Sequence, residues 1–218
     1  MAANSSKYLF GGSHPWTTSD WTSVDDRVRG GASQSFLIPS QNGETAVFSG
    51  NLDIKTLGGA GFASQRTTDD RSHDLSSFDG LELDIDTEGS DQKQYTLTLK
   101  DEILPKRPDG REQSTVSWEF DFTPRGKVSV KWDDLKPTYR GKEVKDAKPL
   151  DLENVKRMSL MMRSFFGEQE GEFRLAVRSI KGWNDGKELD EKRGDVAIQT
   201  REIEESIYGD VSSCCVIL

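Results

Sequence analysis

Between Ser33 and Trp183 apolar residues recur at every second position, the signature of strands with one buried face. Leu81, Leu83 and Ile85 alternate with Glu82, Asp84 and Asp86 directly after Asp79-Gly80, a dipeptide suited to tight turns. The same alternation runs through Tyr95, Leu97 and Leu99, then Val116, Trp118, Phe120 and Phe122, then Val128, Val130 and Trp132. Met158, Leu160 and Met162 follow, and Phe173, Leu175 and Val177 close the series before Ile180 falls out of phase, as a β-bulge would cause. Ser35–Ile38, Thr45–Lys55 and Gly61–Arg66 bring the expectation to about nine strands. Asp151–Val155 reads as a helical turn, and Leu135–Leu150, with its Lys, Pro and Gly residues, reads as a long loop. Strands divided by Gly, Pro and Asp rather than by helices predict an all-β fold, an antiparallel sandwich.

After Trp183 the alternation ends. Asn184–Ser213 is rich in charge and carries a single aromatic, Tyr208, which predicts a solvated linker. The resulting division is a leader at 1–15, a β-sandwich domain at 16–183, and a charged linker with a C-terminal tail at 184–218.

Charge narrows the partners. Thirty-eight acidic against 29 basic residues give a formal net charge of −9, so the overall field repels phosphate backbones, and nucleic acid is not an expected partner. No apolar run reaches the roughly 18 residues of a membrane-spanning helix. Met1–Phe10 has neither the apolar core of a secretory signal nor the arginines of a mitochondrial presequence, so a cytosolic chain is the expectation.

The two cysteines of the sequence, Cys214 and Cys215, are adjacent and near the end, where they cannot cross-link the domain. Cys215-Val216-Ile217-Leu218 satisfies the prenylation pattern, and its final Leu favours a geranylgeranyl group. One lipid gives marginal membrane residence, and Glu202, Glu204, Glu205 and Asp210 offer no polybasic support. Cys214 is then the candidate for a second lipid, by S-palmitoylation. The expected partner of this tail is the cytosolic face of a membrane.

The densest polar pattern is Trp21-Thr22-Ser23-Val24-Asp25-Asp26-Arg27-Val28-Arg29-Gly30-Gly31-Ala32-Ser33, followed by Phe48-Ser49-Gly50 and Gly61-Phe62-Ala63-Ser64. With Asp79-Gly80-Leu81, Tyr95-Thr96-Leu97, Phe120–Gly126 and Gly171–Leu175, it resembles the complex I intermediate-associated protein 30 family from about Trp16 to Trp183. The resemblance implies a jelly roll of the galactose-binding-like kind, and it implies a non-catalytic, chaperone-like module that binds a protein client or assembly intermediate. It also implies a mitochondrial location, against the cytosolic reading of the two ends.

The candidate chemistry is sparse. Asp25, Asp26 and Arg27, joined by Arg66, are the candidate partner or ligand site, and a carboxylate pair there can do acid–base work. Adjacent strand residues point to opposite faces, so the pair shares a site only within a turn, where Asp side chains accept backbone N–H groups instead. Gly59–Ser64 lacks both the third Gly and the following helix of a dinucleotide site. His14 and His73 have no second ligand at zinc spacing, so neither metal nor cofactor is expected. Lys106–Arg111 is a basic loop and Met158, Met161 and Met162 a soft surface or core; each has a binding reading and a plain one. Two functional readings stay open: a protein-binding module, which leads, and a small-molecule-binding or enzymatic sandwich using Asp25, Asp26 and Arg66.

Overall fold

The computed structural model describes residues 7–68 and 71–184. Thirteen strands occur among them: β1 (Lys7–Phe10), β2 (Trp21–Ser23), β3 (Gln34–Pro39), β4 (Ala46–Leu52), β5 (Phe62–Thr67), β6 (Gly80–Asp86), β7 (Tyr95–Lys100), β8 (Ser117–Phe122), β9 (Lys127–Lys131), β10 (Lys136–Tyr139), β11 (Lys142–Glu143), β12 (Arg157–Arg163) and β13 (Gly171–Trp183). They form two antiparallel sheets. One runs β3-β4-β13-β6-β9, with β1 added beside the second half of β13; the other runs β11-β10-β8-β7-β12-β5-β2. The all-β sandwich read from the alternation is the observed fold.

The alternation works because each strand has one face on the shared core. Leu81, Leu83 and Ile85 of β6 meet Leu97, Leu99, Leu160 and Met162 of the opposite sheet in one buried cluster. Tyr95 is buried there too, and its hydroxyl donates to Asp91 Oδ1 at 2.9 Å; burial and then the Asp91 charge hold the phenol far above its ordinary pKa. The register of β13 against β6 shifts between Val177 and Ser179, where the sequence pattern changes phase. Leu152–Asn154 is a 3-10 turn capped by Asp151, which accepts the Glu153 N–H.

Two expectations change. Residues 7–15 are not a leader: β1 pairs with β13, and Phe10 packs against both Trp16 and Trp21 at centroid distances of 5.3 and 4.8 Å. Leu135–Leu150 is not simply a loop, since β10 and β11 make a hairpin there. Arg140 and Gly141 both take positive φ, the backbone of a tight hairpin turn, and Pro137 still faces Trp118 of β8 because a proline tolerates sheet pairing near an edge.

Candidate binding cleft

The outward phase of the seven-stranded sheet is charged. Arg66 of β5, Arg157 and Arg163 of β12, Lys100 of β7, and Glu119 and Asp121 of β8 all line one cleft of about 1140 Å³. Strand pairing brings them together: Arg66 lies opposite Ser159, Ser159 opposite Thr98, and Thr98 opposite Glu119, one row across four strands.

The charges are organised in two groups. Arg163 donates to Glu119 Oε2 at 2.8 Å and to both Asp121 oxygens at 2.7 and 2.6 Å, with the Phe165 ring 4.6 Å from its guanidinium. Arg66 and Arg157 share Glu112, at 2.6 and 2.9 Å, from the segment between β7 and β8. Lys100 donates to the Thr115 hydroxyl at 3.1 Å; burial, then the charge of Arg157, lowers its pKa below the ordinary lysine value. Met161 lies on this face, while Met158 and Met162 are core.

The rim is apolar and in part strained. Val28, Leu104 and Phe166 are exposed along it, Phe166 at 99%. Phe165 and Phe166 both have positive φ, 45° and 62°, a conformation that bulky side chains adopt rarely and at a cost. The turn is braced from behind: Gly167, Glu168 and Gln169 donate their N–H groups to Ser164 O, and the Gln169 amide donates to Arg163 O and Gln94 O.

Asp25 and Asp26 stand elsewhere, at the edge where the two sheets meet. Asp25 accepts from the Ser35 N–H at 3.1 Å, the Ser35 hydroxyl at 2.6 Å and the Ser64 N–H at 2.9 Å. Asp26 does the same with partners two residues earlier on each side, accepting from the Ser33 N–H and hydroxyl and from the Phe62 N–H. Each carboxylate therefore joins the β3 side of one sheet to β5 of the other, and both are buried. Arg27 is exposed on the same turn. Of the four residues singled out in the sequence, Arg66 alone faces the cleft; Cys214 and Cys215 lie outside the described residues.

The model of the complex I intermediate-associated protein 30 (CIA30) family matches residues 8–177. The chain belongs to the CIA30 family. An uncharacterized protein of Schizosaccharomyces pombe, C9E9.15, is 43% identical over 182 residues, which is 79% of this chain and 82% of that one. Among solved structures, a family 11 carbohydrate-binding module from Clostridium thermocellum, in complex with a β-1,3-1,4-mixed-linked tetrasaccharide, is similar with 15% identity and a TM-score of 0.52. The match covers 84% of this chain and 98% of that one. A solution structure of CtCBM11 has 16% identity and a TM-score of 0.51, over 84% and 97%. These likenesses are of fold, the jelly roll implied by the CIA30 resemblance, and CIA30 proteins are associated with complex I assembly.

Within this CIA30 domain, the cleft residues missed in the sequence are Lys100, Glu112, Glu119, Asp121, Arg157 and Arg163. All but Glu112 occupy the polar phase of predicted strands, so charge of both signs recurring at that phase in three separate strands was the available signal. Among the described residues no helix is long and apolar enough to cross a membrane.

Proposed function

We propose that the chain is a non-catalytic protein-binding module of the assembly-factor kind, and that its client docks on the cleft face of the seven-stranded sheet. The observation that carries this reading is Phe166, an almost fully exposed aromatic on a strained turn at the cleft rim. Strain of this kind persists where the surrounding structure enforces it, and exposed aromatics are the usual anchors of protein interfaces. The cleft also exceeds the roughly 300–1,000 Å³ typical of small-molecule sites and suits an extended chain segment. The family's association with complex I makes an assembly intermediate the proposed client.

The test is photo-crosslinking in the native host, with p-benzoylphenylalanine at position 166 and, as control, at Ser129 on the outward face of β9. A protein adduct at 166 and none at 129 is expected. Adducts at 129 alone overturn the choice of face.

The small-molecule or enzymatic reading has its own observation, the convergence of Arg66, Arg157 and Arg163 with three carboxylates in one cleft. It predicts that a compact ligand, with the mixed-linked tetrasaccharide as a first probe, raises the thermal midpoint. A shift absent in wild type and every ligand screened removes this reading.

For the tail we propose prenylation at Cys215 and acylation at Cys214, which would hold the domain at a membrane surface on the cytosolic side; the alternative location is the mitochondrion. Intact mass from the native host decides: geranylgeranyl with loss of Val-Ile-Leu, and release by Cys215→Ser, support the tether. An unmodified Cys215 leaves the mitochondrial location.

A further inference from the structure

The segment between β7 and β8 is a strap. Leu104–Gln113 is exposed throughout. Its tip turns where the Gly110 N–H donates to Arg107 O, and its base is fastened where the Thr115 hydroxyl donates to Glu102 O. From this exposed strap one carboxylate reaches down to the sheet: Arg66 Nη2 lies 2.6 Å from Glu112 Oε1, and Arg157 Nη1 lies 2.9 Å from Glu112 Oε2.

The two halves of this contact differ in kind. The guanidinium groups stand on adjacent strands, with side chains only 14% and 7% exposed, and are fixed by the sheet; the carboxylate is 37% exposed and hangs on the strap. Two guanidiniums this deep and this close favour an oxyanion between them, because charge-assisted hydrogen bonds offset part of the cost of burying them. Lys100 shares the face, where burial and then the charge of Arg157 lower its pKa against the opposing charges of Glu112 and Glu119.

We infer that Arg66 and Arg157 form an oxyanion-binding site, filled in the free protein by the chain's own Glu112, and that a carboxylate on an acidic segment of the docking partner replaces it. The inference rests on the cleft being the partner's docking face and names the chemistry recognised there. Each guanidinium offers one oxygen of a carboxylate a charge-assisted hydrogen bond, so another carboxylate fits the same geometry. The strap also carries Lys106, Arg107 and Arg111, exposed at its tip, so the segment that withdraws Glu112 offers cations to an acidic partner.

An intramolecular carboxylate competes at an effective concentration of roughly millimolar, and apparent affinity falls with the fraction of open sites. Removing the charge of Glu112 while keeping its shape should therefore strengthen outside binding. The experiment uses the full chain as wild type, Glu112→Gln and Glu112→Gln/Arg66→Gln, with fluorescein-labelled hexaglutamate as probe, hexaglutamine as neutral control and inorganic phosphate as competitor.

Glu112→Gln should bind hexaglutamate on the order of tenfold tighter than wild type, with the gain lost in the double variant. Phosphate that competes as well as unlabelled hexaglutamate assigns the site to free oxyanions and overturns the acidic-segment part; phosphate that competes poorly supports it. Equal affinity of wild type and Glu112→Gln, or a gain that survives Arg66→Gln, overturns the inference. Should Glu112→Gln be too unstable to titrate, its thermal midpoint should rise in phosphate while that of wild type does not; equal responses overturn it too. A client adduct at position 166 without any Glu112→Gln gain sinks this inference alone. A gain without an adduct sinks the docking face and leaves the oxyanion site standing.

Discussion

The carboxylate of Asp26 accepts both the backbone N–H and the hydroxyl of Ser33, at 3.0 and 2.6 Å, and the whole side chain is buried. Its third donor is the Phe62 N–H across the sandwich at 3.1 Å, so one side chain fastens two sheets. Asp26→Asn keeps the shape but sets an amide donor against N–H donors. We expect a loss of about 3 kcal/mol or more, read from urea unfolding. A carboxylate serving only chemistry would give a variant of unchanged stability.

Gly61 lies beside this clamp. A Cβ there would come within 2.3 Å of the Asp53 carbonyl oxygen, which is backbone and cannot swing away. Gly61→Ala should cost roughly 1–3 kcal/mol through overpacking. Gly126, with nothing within 4 Å, is the control, and Gly126→Ala should be neutral or stabilising by up to about 1 kcal/mol. Thermal midpoints of the pair check the contrast.

Phe166→Gly should separate stability from binding. It relieves a left-handed non-glycine residue with no buried surface to lose, so stability should rise by about 1 kcal/mol. Client capture should fall in the same variant. A loss of stability would mean that Phe166 packs within the fold.

His73 gives the pH dependence. Burial, then the charges of Lys7 and Arg71, lower its pKa below the ordinary 6.5. The unfolded chain therefore binds this proton at a higher pH than the folded chain does, and stability falls as pH drops below about 6.5 toward the folded value. His73→Gln should flatten that part of the pH–stability curve. An unchanged slope assigns it to other groups.

The strands of the core were legible because residues such as Leu81, Leu83 and Ile85 must alternate to bury one face. The short strands β1, β2, β10 and β11, of two to four residues, offer too few positions for alternation to register. The turn reading of Asp25 and Asp26 was available from local chemistry alone. That they bridge β3 and β5 depends on which strands become neighbours. The cleft was hidden for the same reason: Lys100, Glu119 and Arg157 each look like solvated positions until the order β8-β7-β12-β5 sets them side by side. Glu112 lies outside any periodic segment, so nothing local marked it.

The most direct test of the binding face is hydrogen–deuterium exchange of the full chain with and without the cross-linked client after purification. The account predicts new protection in the strap at 101–116 and the turn at 164–170, with Lys127–Lys131 unchanged. Protection confined to β9 and β3, with the strap and turn exchanging as in the free chain, would contradict it.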